Sequence, residues 1–276
     1  MPELPEVETV RRDLAPFLTG RNVREVAITR DRAVRRQPHA DFVAGLRGRT
    51  LTDVGRHGKY LFVALDGDEA LVAHLRMSGQ LRAARPADER AKHTHVVMDL
   101  DNGTQLRFVD PRTFGELFLD KLGPDGRPSA LRSLGPDAVD PTLTSAALHD
   151  RLTQGRRASS IKAALLDQRA VAGVGNIYAD EALFAARLHP LRPAASVTSA
   201  ETGQLHKALR RILEAAIKAR GSSLADYVDA YGGQGSFVRR HKVYARAGKP
   251  CTRCAAPIER SVVAQRGTHF CPVCQR

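Results

Sequence analysis

The first residues of the chain, Pro2, Glu3 and Glu6, combine a nucleophile with two carboxylates. If Met1 is removed, Pro2 presents a secondary amine, whereas an internal amide nitrogen cannot attack carbon because its lone pair is delocalised. A free terminal amine has a pKa near ~7.7–8.0, so part of it is unprotonated at neutral pH. Its attack on an aldehyde-level carbon gives an iminium, and nearby carboxylates can transfer the protons. The alternative is a tolerated proline and glutamates that only favour a helix start.

A second chemical feature is formed by the four cysteines, which are arranged as Cys251-x2-Cys254 and Cys271-x2-Cys274. This spacing is typical of a zinc ribbon, and four thiolates fill a tetrahedral shell, so we expect one structural Zn²⁺ ion. A pair of redox CxxC motifs is the alternative. The residues between the pairs predict a hairpin with Arg266 near its tip, as either an exposed guanidinium facing a partner or an ordinary surface arginine.

A third feature is a helix pair that could bind phosphate. Residues 161–167 read as a short helix, Gly173-Val174-Gly175 turns the chain, and Asn176 is suited to cap the next helix. Glycines before a helix let backbone N–H groups approach an anion, and Lys162 adds positive charge. The basic pair Arg156-Arg157 favours phosphate binding over the alternative of tight helix packing.

The elements that must position these groups change in type along the chain. Apolar residues at helical spacing, Val7, Val10 and Leu14 among them, predict a helix that ends near Gly20. Alternating apolar residues and Asp-Gly or Asn-Gly turns over 22–120 predict an antiparallel β-sandwich or barrel. Beyond a Gly- and Pro-rich stretch the pattern becomes helical. We expect a β-rich catalytic domain over 1–130, a linker over 131–145, a helical domain over 146–240 and a zinc finger over 241–276.

Composition bounds the partners. Lys and Arg total 43 against 30 Asp and Glu, a net charge of +13 that is spread along the chain, which favours nucleic acid as partner over a generally basic composition. The acidic, proline-containing N-terminus does not read as a signal peptide, and no apolar run reaches the roughly 20 residues of a membrane span. We therefore expect a cytoplasmic protein with no membrane partner and no disulfides.

The sequence resembles the formamidopyrimidine-DNA glycosylase family of bacterial repair enzymes along nearly its whole length. The matching segments are Pro2-Glu3-Leu4-Pro5-Glu6, Gly55-Arg56-His57-Gly58-Lys59-Tyr60, His74-Leu75-Arg76-Met77-Ser78-Gly79, Asp110-Pro111-Arg112-Thr113-Phe114-Gly115, Gly173-Val174-Gly175-Asn176-Ile177-Tyr178 and the cysteine module. The resemblance implies an α+β fold of two domains: an antiparallel β-sandwich with an N-terminal helix, and a helix-two-turn-helix domain with a β-hairpin zinc finger. It also implies excision of oxidised purines from double-stranded DNA, with cytosine as the preferred opposite base, by a monomer associated with the nucleoid.

The resemblance further implies a role for each matched residue. Pro2 would attack C1′ of the damaged nucleotide, Glu3 would open the sugar as acid and base, and Glu6 would assist in proton transfer. Lys59 would act in β-elimination, and Arg266 in δ-elimination or in holding the departing phosphate. Phosphates around the everted nucleotide would be held by Lys162, Asn176, Tyr244 and a basic residue at Arg157, and His93 would contact DNA beside the similar candidate His95.

An enzyme that everts its target must fill the vacated space, because unstacking costs roughly a few kcal/mol. The resemblance assigns this to Met77 as an apolar plug, Phe114 as a wedge between base pairs and Arg112 as a forked donor for the orphaned cytosine. Core packing is the alternative for Met77 and Phe114. The glycine-rich stretch over 221–238 matches a loop that closes over the lesion, and no single base-reading residue is assigned in it.

Two other functions compete with this interpretation. An endonuclease VIII-type enzyme for oxidised pyrimidines shares the amine and the zinc, but it usually begins Pro-Glu-Gly-Pro and places its insertion residues differently. A non-catalytic zinc-ribbon DNA-binding protein would have no use for the set Pro2, Glu3, Lys59 and Arg266. We therefore favour a bifunctional glycosylase and lyase for oxidised purines.

Overall fold

The computed structural model of the chain describes residues 1–155 and 159–276, which divide into two compact units. Unit 1 comprises Met1–Ser133 and Ala219–Ser236, and unit 2 comprises Leu134–Lys218 and Phe237–Arg276. The segment Ala219–Ser236 therefore packs with the β-rich part of the chain, whereas the sequence-based division placed it in the helical domain.

Unit 1 is built on an antiparallel sheet of eight strands in the order β5-β7-β6-β1-β2-β3-β4-β8. Its elements are α1 (Leu4–Leu18), β1 (Arg21–Ile28), α2 (His39–Leu46), β2 (Thr50–His57), β3 (Tyr60–Leu65), β4 (Glu69–His74), β5 (Gln80–Ala84), β6 (Thr94–Leu100), β7 (Gln105–Val109) and β8 (Glu116–Lys121). Strand β1 pairs with β2 on one side and with β6 on the other. Short hairpins connect β2 to β3, β3 to β4 and β6 to β7, whereas the other neighbouring strands are joined by longer segments of the chain.

Helix α1 covers this sheet with the apolar stripe that the sequence predicts. Val7, Val10 and Leu14 are at most 1% exposed and join the core of the unit. Pro5 lies in the first turn, where its missing N–H costs nothing. The helix ends at Leu18, and Gly20 follows it with φ +80°. The catalytic candidates at the N-terminus thus stand on a helix that the core holds in place.

Among the residues that the structure describes, unit 2 contains four α-helices and a two-stranded hairpin: α3 (Ser145–Thr153), α4 (Ile161–Leu166), α5 (Asn176–Ala186), α6 (Ser199–Lys218), β9 (Glu259–Val263) and β10 (Arg266–Phe270). Helix α6 buries Leu205, Leu209 and Ala216 on one face, as predicted. Helix α5 is buried almost all round. The predicted α+β fold is confirmed, with antiparallel strands in the first unit and helices with a hairpin in the second. Within 1–155 and 159–276 the longest apolar helix falls short of what crossing a membrane requires.

Candidate active site and DNA-binding surface

The N-terminal amine candidate lies beside two buried carboxylates. Helix α1 begins at Leu4, so that Glu3 is its N-cap and Glu6 its third residue, and the two form a capping box. Oε2 of Glu6 accepts a hydrogen bond of 2.9 Å from the backbone N–H of Glu3, and both side chains are at most 2% exposed. Pro2 is buried as well, whereas Met1 is 43% exposed. The structure therefore brings Pro2, Glu3 and Glu6 together.

The second oxygen of Glu6 holds the start of the glycine-rich segment. Oε1 accepts a hydrogen bond of 2.8 Å from the backbone N–H of Ser222. The preceding residue, Gly221, has φ +84°, and a Cβ at this position would lie 2.7 Å from Oε1 of Glu6. Only glycine fits this close approach in this backbone conformation. The predicted loop is thus attached to the turn of α1 that carries the catalytic candidates.

A buried acid that the sequence interpretation missed anchors the rest of this segment. Asp13 lies about two turns after Glu6 on α1 and accepts a hydrogen bond of 2.6 Å from Nη2 of Arg220. That Nη2 atom also lies 2.7 Å from Oδ2 of Asp229. The backbone N–H groups of Tyr231 and Gly233 donate to the other oxygen of Asp229. These bonds fix Arg220 and residues 229–233 on α1, in addition to the contact of Ser222 with Glu6.

Lys59 lies in the tight turn between β2 and β3. His57 pairs with Tyr60 across the strands, so Gly58 and Lys59 form a two-residue hairpin, and Gly58 has φ +57°. Arg56 ties this turn to α1, because its Nη1 donates to the Gly58 carbonyl at 2.9 Å and its Nε donates to Glu8 at 3.1 Å. Lys59 is 8% exposed. The structure therefore places Lys59 on a rigid hairpin that shares an ion pair with the catalytic helix.

The charge of Glu8 is firmly held at this junction. Burial raises the pKa of Glu8, but hydrogen bonds from Arg11 and Arg12 and the charge of Arg56 outweigh burial and lower its pKa to about 2. Glu8 is therefore ionised throughout the physiological range.

The three predicted insertion residues project from two loops that a buried acid joins. Met77 is 39% exposed and Phe114 48% exposed, and the Arg112 side chain is 46% exposed, so core packing does not account for them. Asp110, which is completely buried, accepts a hydrogen bond of 2.5 Å from the Ser78 hydroxyl and one of 2.7 Å from the Gly115 backbone N–H. This acid links the loop after β4 to the loop after β7.

The backbone beside the insertion residues adopts left-handed conformations. Arg76, which precedes Met77, has φ +53°, and Thr113, between Arg112 and Phe114, has φ +54°. Such a conformation is strained for a β-branched residue and often marks a functional loop. The Arg76 backbone N–H donates to Nδ1 of His74 at 3.0 Å. Burial and the charges of Arg76 and Lys59 lower the pKa of His74 to about 3, so this ring is a neutral acceptor.

Of the two neighbouring histidines, His93 is the more accessible. His95 is buried, and its Nε2 lies 2.8 Å from the carbonyl oxygen of Asp110. His93 is half-buried and presents the more open ring. The structure therefore favours His93 as the candidate for DNA contact and gives His95 a supporting position.

In unit 2, two predicted phosphate ligands have different environments from those expected. Asn176 is the first residue of α5 rather than its N-cap, which is Gly175, and its Nδ2 donates to the Gly267 carbonyl at 2.8 Å. Lys162 is completely buried, and its Nζ lies 2.6 Å from Oδ1 of Asp180. In the DNA-free structure Lys162 is therefore a buried ion-pair partner of Asp180, and its contact with a DNA phosphate stays a prediction. Helix spacing alone did not indicate on which side of α4 it lies.

The acids of α5 bind backbone rather than stabilise its positive end. Asp180 accepts a hydrogen bond of 2.8 Å from the His269 backbone N–H, next to its ion pair with Lys162. Glu181 accepts bonds of 2.9 Å from the N–H groups of Lys242, Val243 and Tyr244, and burial raises its pKa against these bonds. Tyr244 packs edge-on against His269 at 5.1 Å. The predicted DNA ligand Tyr244 is thus held from beneath by α5.

Arg266 is the first residue of β10 and is exposed. The two residues between the strands, Ala264 and Gln265, have φ +47° and +59°, which is the geometry of a type I′ turn. The prediction that Arg266 lies near the tip of a hairpin is confirmed. Arg157, the last of the predicted phosphate ligands, falls outside the described residues.

The four cysteines form a closed metal site. Their Sγ atoms all lie within 4.8 Å of one another. Zn–S bonds of about 2.3 Å in a tetrahedron require sulfur atoms about 3.8 Å apart. The distances from Cys251 to Cys274 and from Cys254 to Cys271 are 4.0 and 3.5 Å, which bracket this value. The site therefore fits one structural zinc ion, which these four thiolates hold without an open position for catalysis.

Three features together define a zinc-containing DNA glycosylase: an antiparallel β-unit with a buried N-terminal acid pair, a helical unit and a four-cysteine hairpin. Comparison with known proteins agrees with this assignment. The formamidopyrimidine-DNA glycosylase N-terminal domain matches residues 1–117, its H2TH domain matches 134–228, and the zinc finger found in FPG and IleRS matches 248–276. The chain belongs to the formamidopyrimidine-DNA glycosylase family.

Individual relatives support this assignment over the whole chain. The formamidopyrimidine-DNA glycosylase of Symbiobacterium thermophilum is 50% identical over 275 residues, covering 100% of this chain and 89% of the relative. That of Chloroflexus aurantiacus is 49% identical, covering 100% and 98%. A Lactococcus lactis FPG variant bound to Fapy-dG-containing DNA has a TM-score of 0.90 at 36% identity, with 100% of both chains covered. The family comprises bifunctional base-excision repair glycosylases and AP lyases, and this chain is an enzyme of that kind.

Proposed function

We propose that this enzyme excises oxidised purines, 8-oxoguanine and formamidopyrimidines, from double-stranded DNA through an iminium formed by Pro2. The observation that carries the proposal is the N-terminus of α1, where Pro2 is held beside the buried carboxylates of Glu3 and Glu6 and Met1 is exposed. Removal of Met1 would leave a secondary amine next to its proton-transfer groups. Relatives from Lactococcus lactis bound to Fapy-dG and to abasic-site DNA support this substrate class.

The first step would exchange a glycosidic bond for a covalent enzyme intermediate. The Pro2 nitrogen attacks C1′, the bond from C1′ to the base breaks, and the base leaves with its electron pair and takes up a proton. Glu3 gives a proton to the ring oxygen as the sugar opens, and the nitrogen lone pair then forms the iminium. Glu6, with both oxygens bonded to backbone N–H groups, would position Glu3 and the glycine-rich segment as well as assist in proton transfer.

Two eliminations would then cut the strand. Loss of a proton from C2′ sends its electron pair through the iminium and breaks the bond from C3′ to oxygen, releasing one phosphate. Loss of a proton from C4′ then breaks the bond from C5′ to oxygen and releases the second. Lys59 would serve the first elimination and Arg266 the second or the departing phosphate. Water finally hydrolyses the iminium and returns the Pro2 amine.

DNA would be held by residues of both units. Met77 and Phe114 would fill the space left by the everted nucleotide, and Arg112 would donate to the orphaned cytosine. Their exposure on two joined loops supports this role. His93, Asn176, Tyr244 and Arg157 would contact phosphates or their surroundings, and the charge of +13 would attract the duplex. We also propose that the enzyme acts as a monomer in the bacterial cytoplasm, in association with the nucleoid.

Borohydride trapping tests the proposal. The mature enzyme is mixed with a duplex carrying 8-oxoguanine opposite each of the four bases, with a thymine glycol duplex, and with undamaged DNA as control. We expect a covalent complex with 8-oxoguanine, strongest opposite cytosine, and none with a form of the enzyme that keeps Met1. Full activity of the form that keeps Met1 would rule out the Pro2 mechanism, and preferential trapping on thymine glycol would favour the endonuclease VIII-type alternative.

A further inference from the structure

The tip of the zinc hairpin depends on contacts that the zinc ion does not supply. Arg266 is exposed at the start of β10. The position of its guanidinium group therefore depends on how firmly the backbone that follows it is held. The next three residues, Gly267, Thr268 and His269, each receive or donate a hydrogen bond from a side chain of α4 or α5. The backbone beside Arg266 is therefore held by these helices as well as by its pairing with β9.

Lys162 lies at the centre of these contacts. Its Nζ donates to the Thr268 hydroxyl at 2.7 Å and lies 3.3 Å from the Gly267 carbonyl oxygen. The Thr268 hydroxyl in turn donates to the carbonyl oxygen of Arg266 at 3.1 Å. One chain of hydrogen bonds thus runs from a buried ammonium group on α4 to the backbone of Arg266.

Asp180 completes the arrangement from α5. Oδ1 lies 2.6 Å from the Lys162 Nζ, and Oδ2 accepts the His269 N–H, so one carboxylate orients the ammonium group and binds β10. Lys162 and Asp180 are both completely buried. A buried ion pair gains little net stability over apolar packing, and its directional bonds instead specify one geometry.

The other end of the zinc module is held separately. Arg253 donates to the carbonyl oxygens of Phe184 and Ala185 and lies over the Phe184 ring, and Gln275 donates to the Leu188 carbonyl. Apolar contacts among Phe184, Val243 and Ile258 add to this attachment. Loss of the Lys162–Asp180 pair would therefore leave the metal end attached and release only the tip.

We propose that Lys162 and Asp180 are positioning residues that set the hairpin tip so that Arg266 acts in the second elimination. The inference rests on the proposed function for the role of Arg266. It gives a task to the buried ammonium group of Lys162 and to its ion-pair partner Asp180.

The test compares four variants of the full-length, zinc-loaded enzyme on a duplex with a preformed abasic site, the fourth being Arg266→Ala combined with the double variant described next. Lys162→Met/Asp180→Leu removes both charges together, so that neither is left buried alone. Arg266→Ala removes the guanidinium. Arg192→Met is the matched control, since it breaks an ion pair with Glu201 in the same unit. Each is measured for borohydride trapping, for the ratio of δ- to β-elimination products, for zinc content and for amide hydrogen exchange over 266–269.

For the double variant we expect unchanged zinc content and trapping, and a product ratio lowered about 10-fold to 100-fold, as displacement of a positioned group by about 1 Å would cause. Arg266→Ala in that background should lower the ratio no further. Amide hydrogen exchange over 266–269 should accelerate at least about tenfold, because the tip can then open locally, without unfolding of the rest of the unit.

A wild-type product ratio or unchanged exchange in the double variant would overturn the inference. So would a parallel loss of zinc, trapping and both products, which would show that the pair only maintains the fold. Failure of the wild-type enzyme to trap any DNA would instead refute the proposed function, and the exchange measurement would still decide whether the pair holds the tip.

Discussion

The hydroxyl of Ser78 donates a hydrogen bond of 2.5 Å to Oδ1 of Asp110, and this one bond connects the two loops that present Met77, Arg112 and Phe114. The backbone N–H of Arg112 lies 3.3 Å from both Ser78 Oγ and Asp110 Oδ1. The buried Asp110 therefore fixes the backbone that carries Arg112 and the backbone next to Met77. The surface that we propose to enter the duplex is thereby supported by two buried residues, Ser78 and Asp110.

Substitution Ser78→Ala should separate these loops. It removes a hydrogen bond to a charged acceptor, which costs about 1.5–3 kcal/mol of unfolding free energy. We expect 8-oxoguanine excision to fall more than cleavage at preformed abasic sites, since eversion needs all three insertion residues. Denaturant unfolding and parallel incision assays measure the two effects. Equal stability of the variant and the wild type would show that the bond contributes nothing.

The sequence predicted those features that depend on local patterns and motifs, and it did not predict contacts between residues far apart in the chain. The α1 stripe, the cysteine spacing and the hairpin tip at Arg266 follow from periodicity and ligand geometry. The roles of Asp13 and Asp180 do not, since their partners are far away in sequence. A signal was present nonetheless, because Glu6 and Asp13 are seven residues apart on the apolar stripe of α1, where an acid needs a partner. The burial of Lys162 was not predicted, because helical spacing does not say which side of α4 faces the protein.

Acid should weaken unit 1 through Glu8. Its pKa is about 2 in the folded protein against an ordinary value of 4.5, so its stabilisation is complete above pH 4.5 and is lost as the pH falls toward 2. By linkage, this difference corresponds to about 3 kcal/mol, of which about half remains at pH 3. Glu8→Gln should therefore destabilise the protein at pH 7, and by about half as much at pH 3. An equal effect at both pH values would contradict this.

The approach of Gly221 to Glu6 can be tested against Gly20, which follows α1 and has a similar positive φ. Gly20→Ala places a side chain at φ +80° with open space around it and should cost about 1 kcal/mol. Gly221→Ala incurs a similar backbone cost and also brings Cβ to 2.7 Å from Glu6 Oε1, so we expect about 1–3 kcal/mol more. Denaturant unfolding of both variants gives the difference. Equal losses of unfolding free energy in the two variants would mean that the Glu6 side chain moves away from the added methyl group at no cost.

Zinc removal should disorder the hairpin. Ligation of structural zinc contributes on the order of 10 kcal/mol, which a hairpin of this size cannot replace by packing. Treatment with a strong chelator, or Cys254→Ser, should abolish zinc content, expose the thiols to alkylation and remove δ-elimination products. Readdition of zinc should restore the chelated enzyme but not the variant. Unaltered thiol protection after metal removal would indicate a disulfide or another role for the cysteines.

In the DNA-free protein Arg112 forms an ion pair with Asp226 of the glycine-rich segment, with its Nη2 lying 3.2 Å from Oδ2 of Asp226. Both side chains are at least one-third exposed, and such a pair contributes less than about 1 kcal/mol. The guanidinium must leave Asp226 before it can donate to a base, so Asp226→Asn should tighten binding to 8-oxoguanine opposite cytosine by up to about fivefold. Removal of a negative charge also reduces repulsion of phosphates. The same substitution in an Arg112→Ala background measures that repulsion alone, and an identical gain in both backgrounds would show that the ion pair does not restrain Arg112.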